Sequence, residues 1–135
     1  MSNQPRLIPV LTYQDIPAAH DFLVSAFGFS GGGVSSDEEG RAFHGEVSAG
    51  GATIWLHRVT AEHRLDSPIT HDVANAGLFV YVEDVDAHFE RARAAGAFID
   101  SPPADQPYGQ REYGARDPEG HRWWFATPTG IGGRR

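Results

Sequence analysis

The chain repeats itself. Tyr13-Gln14-Asp15-Ile16 leads into an apolar-periodic stretch closing on Ala26-Phe27-Gly28, and Val82-Glu83-Asp84-Val85 leads into one closing on Ala94-Ala95-Gly96. Asp84 follows Asp15 by 69 residues, and Trp124 in His121-Arg122-Trp123-Trp124-Phe125 follows Trp55 in Ala52-Thr53-Ile54-Trp55-Leu56 by the same 69. A chance match rarely holds its register across two separate elements, so the chain reads as two copies of one unit. Three or more such copies would suit a solenoid, whereas two suit a pseudo-twofold pair. A length of 135 residues, 40% hydrophobic and 21% charged, fits one globular domain made this way.

Each copy resolves into the same elements. Residues 7–13 are β-rich, Asp15 and Pro17 mark a helix start, and Ala19, Phe22, Leu23 and Ala26 hold helical spacing until Gly28. A strand over 29–34 is weakened by Gly31-Gly32-Gly33, and strands over 41–48 and 52–57 meet at the hairpin signal Gly50-Gly51. The polar stretch 60–75 is long for a connection, which is the profile of a functional loop or lid. The second copy offers a strand over 77–82, a helix from the Asp84 cap to Gly96, and a brief strand over 97–100. Pro102, Pro103 and Pro107 then predict a loop over 101–109, before a last hairpin, 111–116 and 121–127, around the turn Asp117-Pro118-Glu119-Gly120. The predicted fold is α+β: two tandem βαβββ modules, about 7–58 and 77–128, in a single domain spanning 1–135. The tail 130–135 has little to bury and is predicted to fray.

Composition removes several functions. A formal net charge of −7 with no lysine argues against a phosphate-backbone binder. Without cysteine there is no disulfide framework, thiolate nucleophile or cysteine-based zinc site. No apolar run approaches the roughly 20 residues of a membrane span, and Met1-Ser2-Asn3-Gln4-Pro5 lacks a signal-peptide core. The expectation is a cytoplasmic protein with no nucleic-acid or membrane partner.

A βαβββ unit occurring twice in this length, with Asp117-Pro118-Glu119-Gly120-His121 before the last strand and Val82-Glu83-Asp84-Val85-Asp86-Ala87 opening the second helix, resembles the vicinal oxygen chelate superfamily. Its members include glyoxalase I, extradiol dioxygenases, fosfomycin-resistance thiol transferases and bleomycin- and mitomycin-binding resistance proteins. The resemblance covers about 7–128, and Tyr108-Gly109-Gln110-Arg111 with Trp123-Trp124 is most similar to the glyoxalase-like, bleomycin-resistance-type subgroup. It implies a cup-shaped mixed sheet with helices outside, and a homodimer whose cup lies within one chain or is shared by two. It also implies four metal-ligand positions, on the first and last strand of each module, which fall here on Ile8, Trp55, Gly77 and Trp124. An aliphatic chain, a glycine and two indoles offer no donor to a divalent ion at about 2 Å. The chain is therefore expected to use neither metal nor cofactor.

What stands in those positions is aromatic. Strand alternation puts Thr53, Trp55 and His57 on one face, Arg122, Trp124 and Ala126 on one face with Trp123 turned to the core, and Phe79 and Tyr81 beside Gly77. Trp55, Trp124, Phe79 and Tyr81 then line the cup and could stack a flat, apolar ligand, each aromatic contact adding about 0.5–1.5 kcal/mol beyond area burial; the alternative is that they fill a cup that has lost its metal. His44 and Glu46 share a strand face near His57, either as an acid-base pair or as a solvated polar face. Tyr108 and Arg111 complete the candidate ligand-binding set, Arg111 and Arg122 as partners for an anionic group or as snorkelling side chains. His63 and His71 read as exposed loop residues, His121 as a turn residue, and His20 and His88 as helix surface. The favoured function is a metal-free protein that sequesters a hydrophobic or aromatic small molecule such as an antibiotic. The alternative is an enzyme, of lyase, isomerase or dioxygenase type, acting on a small metabolite through His44, Glu46 or Tyr113 or a relocated metal.

Overall fold

The computed structural model describes residues 7–130. The first module runs β1 (Val10–Tyr13), α1 (Ile16–Phe27), β2 (Ser30–Ser36), β3 (Ala42–Ala49) and β4 (Ala52–Arg58). The second runs β5 (Gly77–Tyr81), α2 (Val85–Ala94), β6 (Phe98–Gln106), β7 (Gln110–Arg116) and β8 (Arg122–Pro128). Each builds a four-stranded sheet of the same order, β1-β4-β3-β2 and β5-β8-β7-β6, with the first pair parallel and the others antiparallel. The repeat is exact in register: Trp55 pairs with Val10, and Trp124 with Phe79.

Local chemistry sets the helix limits. Asp15 and Asp84 cap the two helices, accepting from Ala18 N and Ala87 N, and Gly28 closes α1 at φ 75°, which glycine adopts without steric cost. The helix-covered faces of both sheets then share one core. Phe27 and Phe29, at the end of α1, pack on Trp123 and Phe125 of β8 with ring centroids 4.8–6.3 Å apart. Because the modules join through these faces and α1 meets α2, both open faces look outward, and no strand of one sheet makes more than marginal contact with a strand of the other.

The turn Asp117 to Gly120 fastens the modules together. Asp117 is buried and accepts from Tyr13 Oη (2.5 Å), Trp123 Nε1 (3.2 Å) and the backbone N–H of Glu119 and His121. Glu119 accepts from the backbone of Gln14 and Asp15 at the start of α1, and from Ser67 Oγ (2.5 Å). Burial raises the Asp117 carboxyl above its usual range, and burial followed by the Asp117 charge raises the Tyr13 phenol.

Three expectations need correction. Residues 101–106 are not loop: β6 continues through Pro102 and Pro103 to Gln106. It is an edge strand whose register shifts between Ser101 and Ala104, the place where proline costs no ladder hydrogen bond. His121 is not merely a turn residue, since its buried Nε2 donates to Thr12 O at 2.8 Å. His88 does not sit on the helix surface. Its Nε2 donates to Phe27 O (2.8 Å) and its Nδ1 accepts from Tyr113 Oη (2.7 Å). The stretch 60–75 is fastened by Ser67 and carries a 3-10 turn, Pro68–Thr70. The tail beyond 130 lies outside the described residues. No helix among those residues is long and apolar enough to cross a membrane.

Candidate ligand-binding face

On β8 alternation separates the two neighbouring indoles. Trp123 is fully buried on the helix side, and Trp124 is half-buried on the open face. The neighbours of Trp124 are what let its ring lie flat. A Cβ built on Gly77 of β5 would meet Trp124 Cζ3 at 2.3 Å, and one on Gly114 of β7 would meet its Cδ1 and Nε1 at 3.3 Å. The indole therefore spans three strands, resting on glycine backbone at both ends. Phe79 (44% exposed) and Tyr81 (59%) continue this aromatic face with centroids 5.5 Å apart.

The face is polar at both ends. At one, Tyr81 pairs across Ala126 with the row of Glu112. Tyr81 Oη donates to Gln110 Oε1 (2.9 Å), and Gln110 Nε2 donates to Glu112 Oε1 (2.9 Å). Tyr108 lies beside Glu112, its phenol raised by desolvation first and then by that carboxylate. At the other end the Arg122 guanidinium sits 5.2 Å from the Trp124 ring centroid and Arg116 sits 4.3 Å from that of Phe98, with Asp100 pairing with both arginines.

Trp55, His44 and Glu46 are elsewhere. They occupy the open face of the first sheet, where Trp55 is 38% exposed and meets His44 edge-on at 5.5 Å. Glu46 stands opposite Trp55 and packs over Gly32, and His57 faces His44 across the strands and His63 at 5.8 Å. Among the described residues His44 and Glu46 form no hydrogen bond with one another. Within one chain the structure thus brings together Trp124, Phe79, Tyr81 and Tyr108, and separately Trp55, His44 and Glu46. Arg111 joins neither group. It lies on the helix side, paired with Asp86 of α2 (3.1 Å) and with Asp105 (3.2 Å). Sequence reading missed Gln110, Glu112 and Gly114; a small residue opposite each end of an indole was the available signal.

The family's metal does not fit here. Trp124 fills the space a side chain at position 77 would need, and among the described residues no group of three histidines or carboxylates is placed to hold an ion.

Fold and face together define a paired-module βαβββ protein with an open aromatic sheet face on each module. The family model of the Glyoxalase/Bleomycin resistance protein/Dioxygenase superfamily matches residues 7–125, and the chain belongs to that superfamily. An uncharacterized protein of Mycobacterium tuberculosis is 30% identical over 93% of this chain and 76% of its own length. TioX from Micromonospora sp. ML1 is 33% identical with a TM-score of 0.72, over 91% of this chain and 95% of its own. TnmS3, an antibiotic binding protein from Streptomyces sp. CB03234, shares the fold at 24% identity and a TM-score of 0.68, over 95% and 98%.

Proposed function

We propose that the protein binds and sequesters a planar aromatic small molecule, without metal and without turning it over. The observation that carries this reading is the indole of Trp124 lying across Gly77, where it offers a wide ring face at a position for which the family resemblance implies a metal ligand. Exposed Phe79 and Tyr81 extend that surface. The shared fold with an antibiotic binding protein is consistent with the same use.

The working form in this reading is a homodimer. Trp55 and Trp124 stand on outward faces of one chain, so a cup flanked by both rings needs the first sheet of one protomer against the second sheet of another. Val10, Trp55, Phe79 and Tyr81, each at least 38% exposed, are the apolar residues such pairing would cover. The test is elemental analysis of chelator-treated protein together with calorimetric titration of planar aromatic compounds. The expected result is no stoichiometric metal, and aromatic binding that Trp124→Ala abolishes. Stoichiometric zinc, nickel or manganese that survives chelation would overturn the reading.

A further inference from the structure

The charges around the Trp124 face are unevenly satisfied, and this bears on what the ligand carries. At the Phe98 end two guanidiniums meet Asp100, with Arg116 contacting both of its oxygens (3.0 and 3.2 Å from Nε) and Arg122 3.0 Å away. Asp72 adds a second carboxylate to the field of Arg116. Both guanidiniums there already have a carboxylate partner in Asp100.

The Tyr81 end is different. Glu112 is half-buried on the open face, one row along β7 from the Gly114 that supports Trp124. Its neighbours are neutral, Gln110 through Nε2 and Tyr108 beside it. Among the described residues no arginine or histidine forms an ion pair with it. The adjacent Arg111 points to the helix side and is taken up by Asp86 and Asp105. Between Tyr81 and Glu112 lies Ala126, which is fully buried, so the exposed groups of this end are the Tyr81 ring and the Glu112 carboxylate. A carboxylate lacking a counter-ion, next to the faces of an indole and a phenol, suits a cation twice over, by charge-assisted hydrogen bonding and by attraction to the ring faces.

We infer that the ligand is a planar aromatic amine, protonated at neutral pH, whose cationic group pairs with Glu112 at the Tyr81 end while its ring system stacks on Trp124. This rests on the sequestration reading and adds the charge of the ligand and the residue that reads it.

The test compares two tricyclic probes of the same shape, 9-aminoacridine and acridine-9-carboxylate, by isothermal titration calorimetry on wild type, Glu112→Gln and Trp124→Ala. Glutamine keeps an oxygen acceptor for Gln110 and Tyr108, and circular dichroism verifies the fold of each variant. The aminoacridine is expected to bind at least about tenfold more tightly than the carboxylate. Glu112→Gln should reduce that preference about tenfold, the usual size of a lost charge-assisted bond, and Trp124→Ala should weaken both probes. Equal affinities in the wild type, or a preference unchanged by Glu112→Gln, overturn the inference yet leave stacking intact wherever Trp124→Ala still abolishes binding. If neither probe binds, the sequestration reading fails along with it.

Discussion

A methyl group at position 77 would stand 2.3 Å from the far edge of the Trp124 ring, closer than any carbon contact allows, whereas one at 114 would meet the ring at 3.3 Å. The two glycines should therefore respond unequally. Gly77→Ala is expected to lift the indole off the sheet, costing about 1–3 kcal/mol of overpacking strain in urea denaturation, shifting tryptophan emission and weakening aromatic ligands. Gly114→Ala should show less than half of that loss. Equal and negligible effects at both sites would mean that the indole is not held flat. Alternation in the sequence was enough to send Trp123 inward and Trp124 outward. It was silent on Gly77 as a support, because a glycine where a metal ligand belongs reads as a loss until the neighbouring strand is in place.

At the level of elements, the Asp117 turn joins β8 to β1 and α1. Asp117→Ala leaves the Tyr13 hydroxyl and the Trp123 N–H buried with no acceptor. At about 1–3 kcal/mol for each orphaned donor, a destabilisation of roughly 3 kcal/mol or more is expected, and Tyr13→Phe, which removes one donor with its bond, should cost only about 1 kcal/mol. Urea melts with unchanged slope decide this. His88 fastens another junction, between α2, β7 and the end of α1. Desolvation, and secondarily Arg91, lowers its pKa despite the Phe27 carbonyl, so the folded state resists its protonation. Its contribution is complete above the unfolded-chain value of about 6.5 and is lost as pH falls through the lower folded value. Stability measured from pH 7.5 downward should thus decline below about 6.5, and His88→Gln should flatten that part of the curve. The helices, their caps and the hairpins were legible in the sequence, because capping residues, glycines and periodicity act locally. The roles of His88 and His121 were not, since each is defined by a carbonyl 61 or 109 positions away. Nor was the length of β6, where two prolines signal a break unless the strand is known to be an edge.

For the molecule as a whole, what matters is that one core serves both modules and thereby turns both aromatic faces outward. A site flanked by Trp55 and Trp124 then cannot close within a chain, and in the dimer we propose, pairing two chains about a twofold axis would make two such sites, each taking Trp55 from one protomer and Trp124 from the other. This arrangement predicts complementation. The Trp55→Ala homodimer has two sites without the first indole, and the Trp124→Ala homodimer two without the second. A heterodimer of the two variants has one site missing both rings and one site intact. Co-expressed and purified through two different tags, that heterodimer should bind 9-aminoacridine with wild-type affinity at one ligand per dimer, against two for the wild type and none at that affinity for either variant alone. Light scattering should give the mass of two chains throughout. If each cup instead belonged to a single chain, every protomer of the heterodimer would carry one broken site and no combination would restore binding. The titration therefore separates a shared cup from a private one without any knowledge of the physiological ligand.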